Sequence, residues 1–137
     1  MWKLKADDRL DHWKRFRQQI GAMPIDQALT ACVDFWQKAP FTPFYLDHNN
    51  TTEWPDPWQL VYENWYCDLA KALGILYTVS LLDRADMADA ELVLAEDGSN
   101  LVLVAKEKYI LNWNRDSIVN NKPKVKIIRK LKQHQIK

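Results

Sequence analysis

The stretch "ELVLAEDGSNLVLV" (residues 91–104) constrains the fold more than any other part of the chain. Two runs of Leu and Val flank Asp97-Gly98-Ser99, a tight-turn signal, so the runs return on each other as antiparallel strands. "KYILNW" follows a short polar turn as a third strand, and "KVKIIRKL", after Pro123, forms a last strand or arm. Apolar strands need a covering layer, and the first half of the chain carries helical patterns that can supply it. The expected fold class is therefore α+β: two or three helices packed on a four- to five-stranded, mostly antiparallel sheet. With 137 residues and no internal repeat, this is one domain.

The helices differ in clarity. In "MPIDQALTACVDFWQKAP", Pro24 suits the first helical position, and Ile25, Ala28, Leu29, Cys32, Val33 and Trp36 recur at the spacing of one buried face. Pro40 stops the helix near Lys38. A second helix starts at Asp56, where an Asp cap, Pro57 and Gln59 make a capping box. Val61, Trp65, Leu69, Ala72 and Leu73 continue its period. Gly74 is placed to close it, with "ILYTVSLL" as a following strand; the competing reading is one helix from Pro57 to Leu82 through Gly74. Residues 1–20 mix Trp2, Leu4, Leu10, Trp13, Phe16 and Ile20 with many charges and read as a basic N-terminal helix or arm.

The charge is uneven. Residues 1–20 sum to +3 (six basic, three acidic), residues 21–121 to −9, and residues 122–137 to +7. The domain thus spans residues 1–121, with residues 122–137 as a basic C-terminal strand or arm. A basic tail on an acidic body seeks an acidic surface: a neighbouring subunit, nucleic acid, or its own body. Lys124, Lys126, Arg129, Lys130 and Lys132 are its contact candidates. The loop at residues 40–56 carries Phe41, Phe44, Tyr45 and Trp54, with Trp58 just beyond. These aromatics either close the loop over its own core or face a partner.

No run approaches the ~20 apolar residues of a membrane span, and the start of the chain has no apolar signal region. That pattern predicts a protein that is not secreted and has no membrane partner. The two cysteines, Cys32 and Cys67, fall in apolar helical patterns and are expected to be buried, reduced thiols. No Cys-x-x-Cys or His-x-x-x-His spacing points to a metal, and three glycines cannot build a phosphate loop, so no cofactor is expected. Glu53, Asp56 and Glu63 cluster near the aromatic loop, but a helix cap already accounts for Asp56.

Cys67 is the remaining catalytic candidate. In a helix begun at Pro57 its sulfur stands about three turns inside, beyond the reach of the helix dipole. A packing role follows. The enzymatic alternative uses Cys67 as nucleophile, His48 from the aromatic loop as base and Asp68 as its orienter.

"DPWQLVYENWYCDLAKALGILYTV", the "ELVLAEDGSNLVLV" hairpin and "YILNW", over residues 56–116, resemble the transglutaminase-like, papain-related fold. The resemblance puts Cys67 in the nucleophile's place and Gly74-Ile75 at the helix exit. It puts the family's histidine near Ala90 or Glu91 and its aspartate near Asn112 to Asp116. No histidine stands there, so the resemblance implies the fold without its base. The same stretch, with "WPDPWQL" leading into "YCDLAKALGI", is similar to small proteins of tailed bacteriophages. That similarity implies a virion component found in the particle or the host cytoplasm. The leading expectation is a non-enzymatic assembly protein that binds neighbouring subunits through its termini and aromatic surface. A cysteine-dependent acyl-transfer or amidase enzyme and a nucleic-acid-binding protein working through the basic tail are the alternatives.

Overall fold

The structure is a computed structural model. It describes residues 1–43, 46–87, 89–95, 98–105, 109–112, 117–119 and 127–136. Helices α1 (Ala6–Gly21) and α2 (Ile25–Gln37) are followed by the short α3 (Pro57–Val61) and by α4 (Asp68–Leu81). Strands β1 (Glu91–Ala95), β2 (Asn100–Val104), β3 (Tyr109–Asn112), β4 (Ser117–Val119) and β5 (Ile127–Leu131) come next, and α5 (Gln133–Ile136) closes the chain. The strands make one sheet in the order β4-β3-β2-β1-β5, every pair antiparallel. The α+β expectation holds.

The hairpin forms as its sequence requires. Gly98, with φ of 88°, makes the left-handed turn, and its N–H donates to the Ala95 carbonyl. The runs are apolar at consecutive positions because both faces of the sheet are buried. Leu92, Leu94, Val102, Val104 and Leu111 join the main core with the helices, while Val93, Leu101, Leu103 and Ile110 cluster together separately. The acceptor of the basic tail was open in the sequence. Its strand β5 adds to the chain's own sheet beside β1.

Of residues 1–20, those from Ala6 onward form α1, whose Arg9, Trp13 and Ile20 are buried. In α2 the stripe Ala28, Leu29, Cys32, Val33 and Trp36 is buried as its spacing predicts, although Pro24 stands one position earlier, at the cap. The Asp56 capping box is present in full: Gln59 N–H donates to Asp56 Oδ1 at 2.8 Å and Asp56 N–H to Gln59 Oε1 at 3.1 Å.

Between α3 and α4 the sequence reading needs correction twice. The helix from Pro57 ends at Val61, and "ILYTVSLL" is helix, not strand. At the first break, the last carbonyls of the helix and those just beyond it accept side-chain donors, one of them from far along the chain. Leu60 O accepts from the Tyr66 hydroxyl at 2.8 Å, and Val61 O and Glu63 O accept from the Arg9 guanidinium at 3.4 and 2.6 Å. Tyr66 itself forms a parallel bridge with Phe41, its N–H donating to Pro40 O at 2.7 Å.

Gly74, expected to close a helix, lies in the interior of α4 because Trp36 of α2 packs on it. A Cβ at position 74 would fall within the Trp36 ring. Glycine costs about 1 kcal/mol relative to alanine inside a helix. An indole burying on the order of 200 Å² at ~25 cal/mol per Å² outweighs that several-fold. At an exposed helical position Gly→Ala stabilises. Gly74→Ala is expected instead to destabilise by about 1–3 kcal/mol through overpacking against Trp36. Chemical unfolding with an unchanged m-value would measure it, and a raised midpoint would show that the helices do not depend on this contact.

Candidate functional site

The break before α4 puts Cys67 at the head of a fourteen-residue helix, as its N-cap, and not three turns inside one. This corrects the sequence argument about its position. The expectation of burial holds: Cys67 is 4% exposed, and both cysteines are free thiols. The Cys67 side chain makes no cap bond. Cys32 differs chemically, since full burial pushes its thiol pKa up to about 12.

Asp68 occupies the first position of α4. Its Oδ2 accepts from Asn100 Nδ2 at 2.9 Å, and Asn100 Oδ1 lies 3.1 Å from His48 Nε2. A carboxylate only accepts, so the Asn100 amide must turn its NH2 to Asp68 and its oxygen to His48. The His48 hydrogen is therefore on Nε2, and in the neutral ring Nδ1 is the unprotonated nitrogen. Asn100 begins β2 and is buried. It gathers His48 of the loop and Asp68 of α4 into one chain of hydrogen bonds. One turn further along α4, the buried Lys71 donates to Gln37 O at 2.9 Å and lies 5.7 Å from the Phe41 ring centroid. Burial lowers its pKa, and Asp68 opposes that shift.

Cys67, His48 and Asp68 thus share one region of the fold, though Asp68 orients His48 only through Asn100. Among the described residues, the Cys67 sulfur has no hydrogen-bond partner. None of the described residues forms a cluster of three His, Cys, Asp or Glu groups suited to a metal.

The aromatic candidates divide. Phe41 and Trp58 are about half exposed, and the structure adds Tyr62 and Trp65, the latter 60% exposed. Trp54 is fully buried, which corrects its assignment to a contact surface: its indole donates to Asp47 O at 2.8 Å and holds the loop closed. Tyr77 pins the same loop through Pro55 O at 2.7 Å. Phe44, Tyr45, Lys124 and Lys126 lie outside the described residues. Arg129 and Lys130 are exposed on β5, and Lys132 lies 3.5 Å from Asp89.

The exposed aromatics belong to segments tied to one another. Trp58 and Tyr62 are one helical turn apart. The Arg9 guanidinium joins Leu4 O to Glu63 O, which brings exposed Leu4 beside this turn. The Pro40–Tyr66 bond ties the segment carrying Phe41 to the one carrying Trp65. A cleft of about 710 Å³ at the C-terminal end of α4 is elsewhere, and its basic groups are occupied: Arg84 bonds Asp86 and Met23 O, and Lys132 pairs with Asp89.

Sequence reasoning missed Asn100, Tyr62 and Trp65. For Asn100 the one signal is a polar residue opening an otherwise apolar strand. For the aromatics there is no local signal, since Tyr62, Trp65 and Tyr66 stand at i, i+3 and i+4, the spacing of one buried stripe.

Compared with family models, curated proteins and solved structures, the chain finds no match. Among the described residues, no helix is long and apolar enough to cross a membrane.

Asn100→Leu removes the partners of both Asp68 and His48. It is expected to cost about 1–3 kcal/mol, and His48→Ala combined with it should cost less than the sum of the two. Additive losses in a denaturant double-mutant cycle would show that the hydrogen bonds do not act as a unit.

Proposed function

We propose that this chain is a non-enzymatic assembly subunit of a tailed-phage particle, which binds neighbouring protein subunits through the face made by Leu4, Phe41, Trp58, Tyr62 and Trp65. The observation that carries this reading is the exposure of these side chains from segments held together by buried hydrogen bonds. Large rings left in water on a rigid base suit a partner's surface, where such residues supply most of the binding energy. The phage setting rests on the similarity of "WPDPWQL" and "YCDLAKALGI" to tailed-phage proteins. The protein would act in the virion and, before assembly, in the host cytoplasm. Phe41→Ser with Trp65→Ser should leave the thermal midpoint nearly unchanged, since both side chains are exposed. It should reduce recovery of the chain in purified particles at least roughly tenfold, as loss of an interface hot spot does. Recovery at the wild-type level, or absence of the wild-type chain from particles, would refute the assignment.

A second reading, cysteine-dependent acyl transfer, is favoured by the His48–Asn100–Asp68 chain beside a helix headed by Cys67. In it His48 takes the Cys67 proton, the thiolate attacks a carbonyl carbon, and the leaving amine departs with that proton as the C–N bond breaks. Water or a second amine then cleaves the thioester and restores the thiol. Native Cys67 would then react with iodoacetamide with a midpoint well below the free-thiol value of ~8.5, and His48→Ala would abolish that shift. Labelling only on unfolding, the outcome expected of an assembly subunit, would end this reading.

A further inference from the structure

Three arginines of α1 meet different fates. Arg9 donates to the carbonyls of Trp2, Leu4, Val61 and Glu63, and Arg15 pairs with Asp11 at 2.7 Å. Arg17 does neither. Its guanidinium carbon lies 4.4 Å from the Trp13 ring centroid and 5.6 Å from that of Trp58. The two indoles meet edge to face at 5.7 Å. Stacking occupies the faces of a guanidinium but leaves its in-plane N–H groups needing acceptors. The Arg17 Nε is buried and has no hydrogen-bond partner. Desolvation by its surroundings also lowers the Arg17 pKa, a penalty that a counter-anion would relieve. The Nε is closed to solvent, so the donors a ligand can reach are the outer Nη groups, which among the described residues also have no acceptor.

Beside it, Leu10, Asp11, Lys14, Arg17 and Trp58 line a groove of about 460 Å³. We propose that this groove receives a carboxylate, an Asp or Glu side chain flanked by apolar residues on a partner protein. Arg17 is the planar fork for the carboxylate, Lys14 a second positive charge, and Leu10 with the half-exposed Trp58 the apolar wall. The proposal deepens the assembly reading, since Trp58 belongs to both surfaces, and it rests on that reading for the partner being a protein. The surrounding charge favours a single carboxylate over a nucleic-acid backbone. Asp11 lines the groove, and Asp7 and Asp8 are exposed one turn earlier on α1, so a run of phosphates would meet carboxylates as well as Arg17.

The test uses the full chain labelled with ¹⁵N and follows the Arg17 Nε–H and Trp58 Nε1–H signals by NMR. The probes are acetyl-Leu-Glu-Leu-amide, its Gln counterpart and a thymidine dinucleotide. The Glu peptide should shift both signals saturably, with an affinity at least roughly tenfold above the Gln peptide, as expected for a charge-assisted hydrogen bond. Arg17→Lys, which keeps the charge but not the fork, should remove that preference. If it does not fold, the Glu-against-Gln comparison on the wild-type chain decides. Equal shifts by the two peptides, no shift at millimolar concentration, or tighter binding of the dinucleotide would each overturn the proposal. Peptide binding is read on the isolated chain, so it stands or falls separately from recovery in particles. A chain that binds the Glu peptide but is absent from particles fails only as an assembly subunit.

Discussion

The crossing of α2 on α4 rests on one buried hydroxyl. Thr78 Oγ1 accepts from the indoles of both Trp13 and Trp36, at 3.1 and 2.9 Å, and donates to Gly74 O at 2.7 Å. All of its hydrogen-bonding capacity is in use, and so is that of two of the largest side chains in the core. Gly74 lets the Trp36 ring lie against the α4 backbone, which brings Thr78 within reach. Three helices are therefore locked at one point: α1 through Trp13, α2 through Trp36, and α4 through Gly74 and Thr78. The sheet packs on α4 through β1 and β2 and on α2 through β3 and β4, so its placement follows from the same contact.

A second constraint shapes the surface. Arg9, from fifty residues away, and Tyr66 bond the carbonyls around the end of α3, where the helix stops. Cys67 becomes the head of α4, within reach of the loop that carries His48. Tyr62 and Trp65 lie in the break and are exposed, as are Trp58 and Phe41.

The Cys67 region and the exposed aromatic face have opposite characters. Beside the buried Cys67, Asn100 hydrogen-bonds both Asp68 and His48. Such an arrangement stabilises the junction of loop, helix and strand. The aromatic face and the Arg17 groove are unfinished by comparison, with rings in water and a guanidinium nitrogen lacking an acceptor. Incomplete satisfaction on a rigid base favours binding over chemistry.

Local pattern by itself determined much of this protein. The hairpin around Gly98, the buried stripe of α2, the Asp56 capping box and the α+β class all follow from residues within a few positions of one another, where sterics and periodicity leave few choices. The fate of residues 57–82 was not determined locally. The helix from Pro57 stops where Arg9, from fifty residues away, bonds the carbonyls around its end, and whether Gly74 ends a helix depends on Trp36 pressing against it. For the same reason the sequence named Cys67, His48 and Asp68 but not Asn100, and it named Trp54 as a contact residue although the core encloses it. Only the tertiary structure decided which donors, acceptors and rings would find partners within the chain, because that depends on distances between segments far apart in sequence.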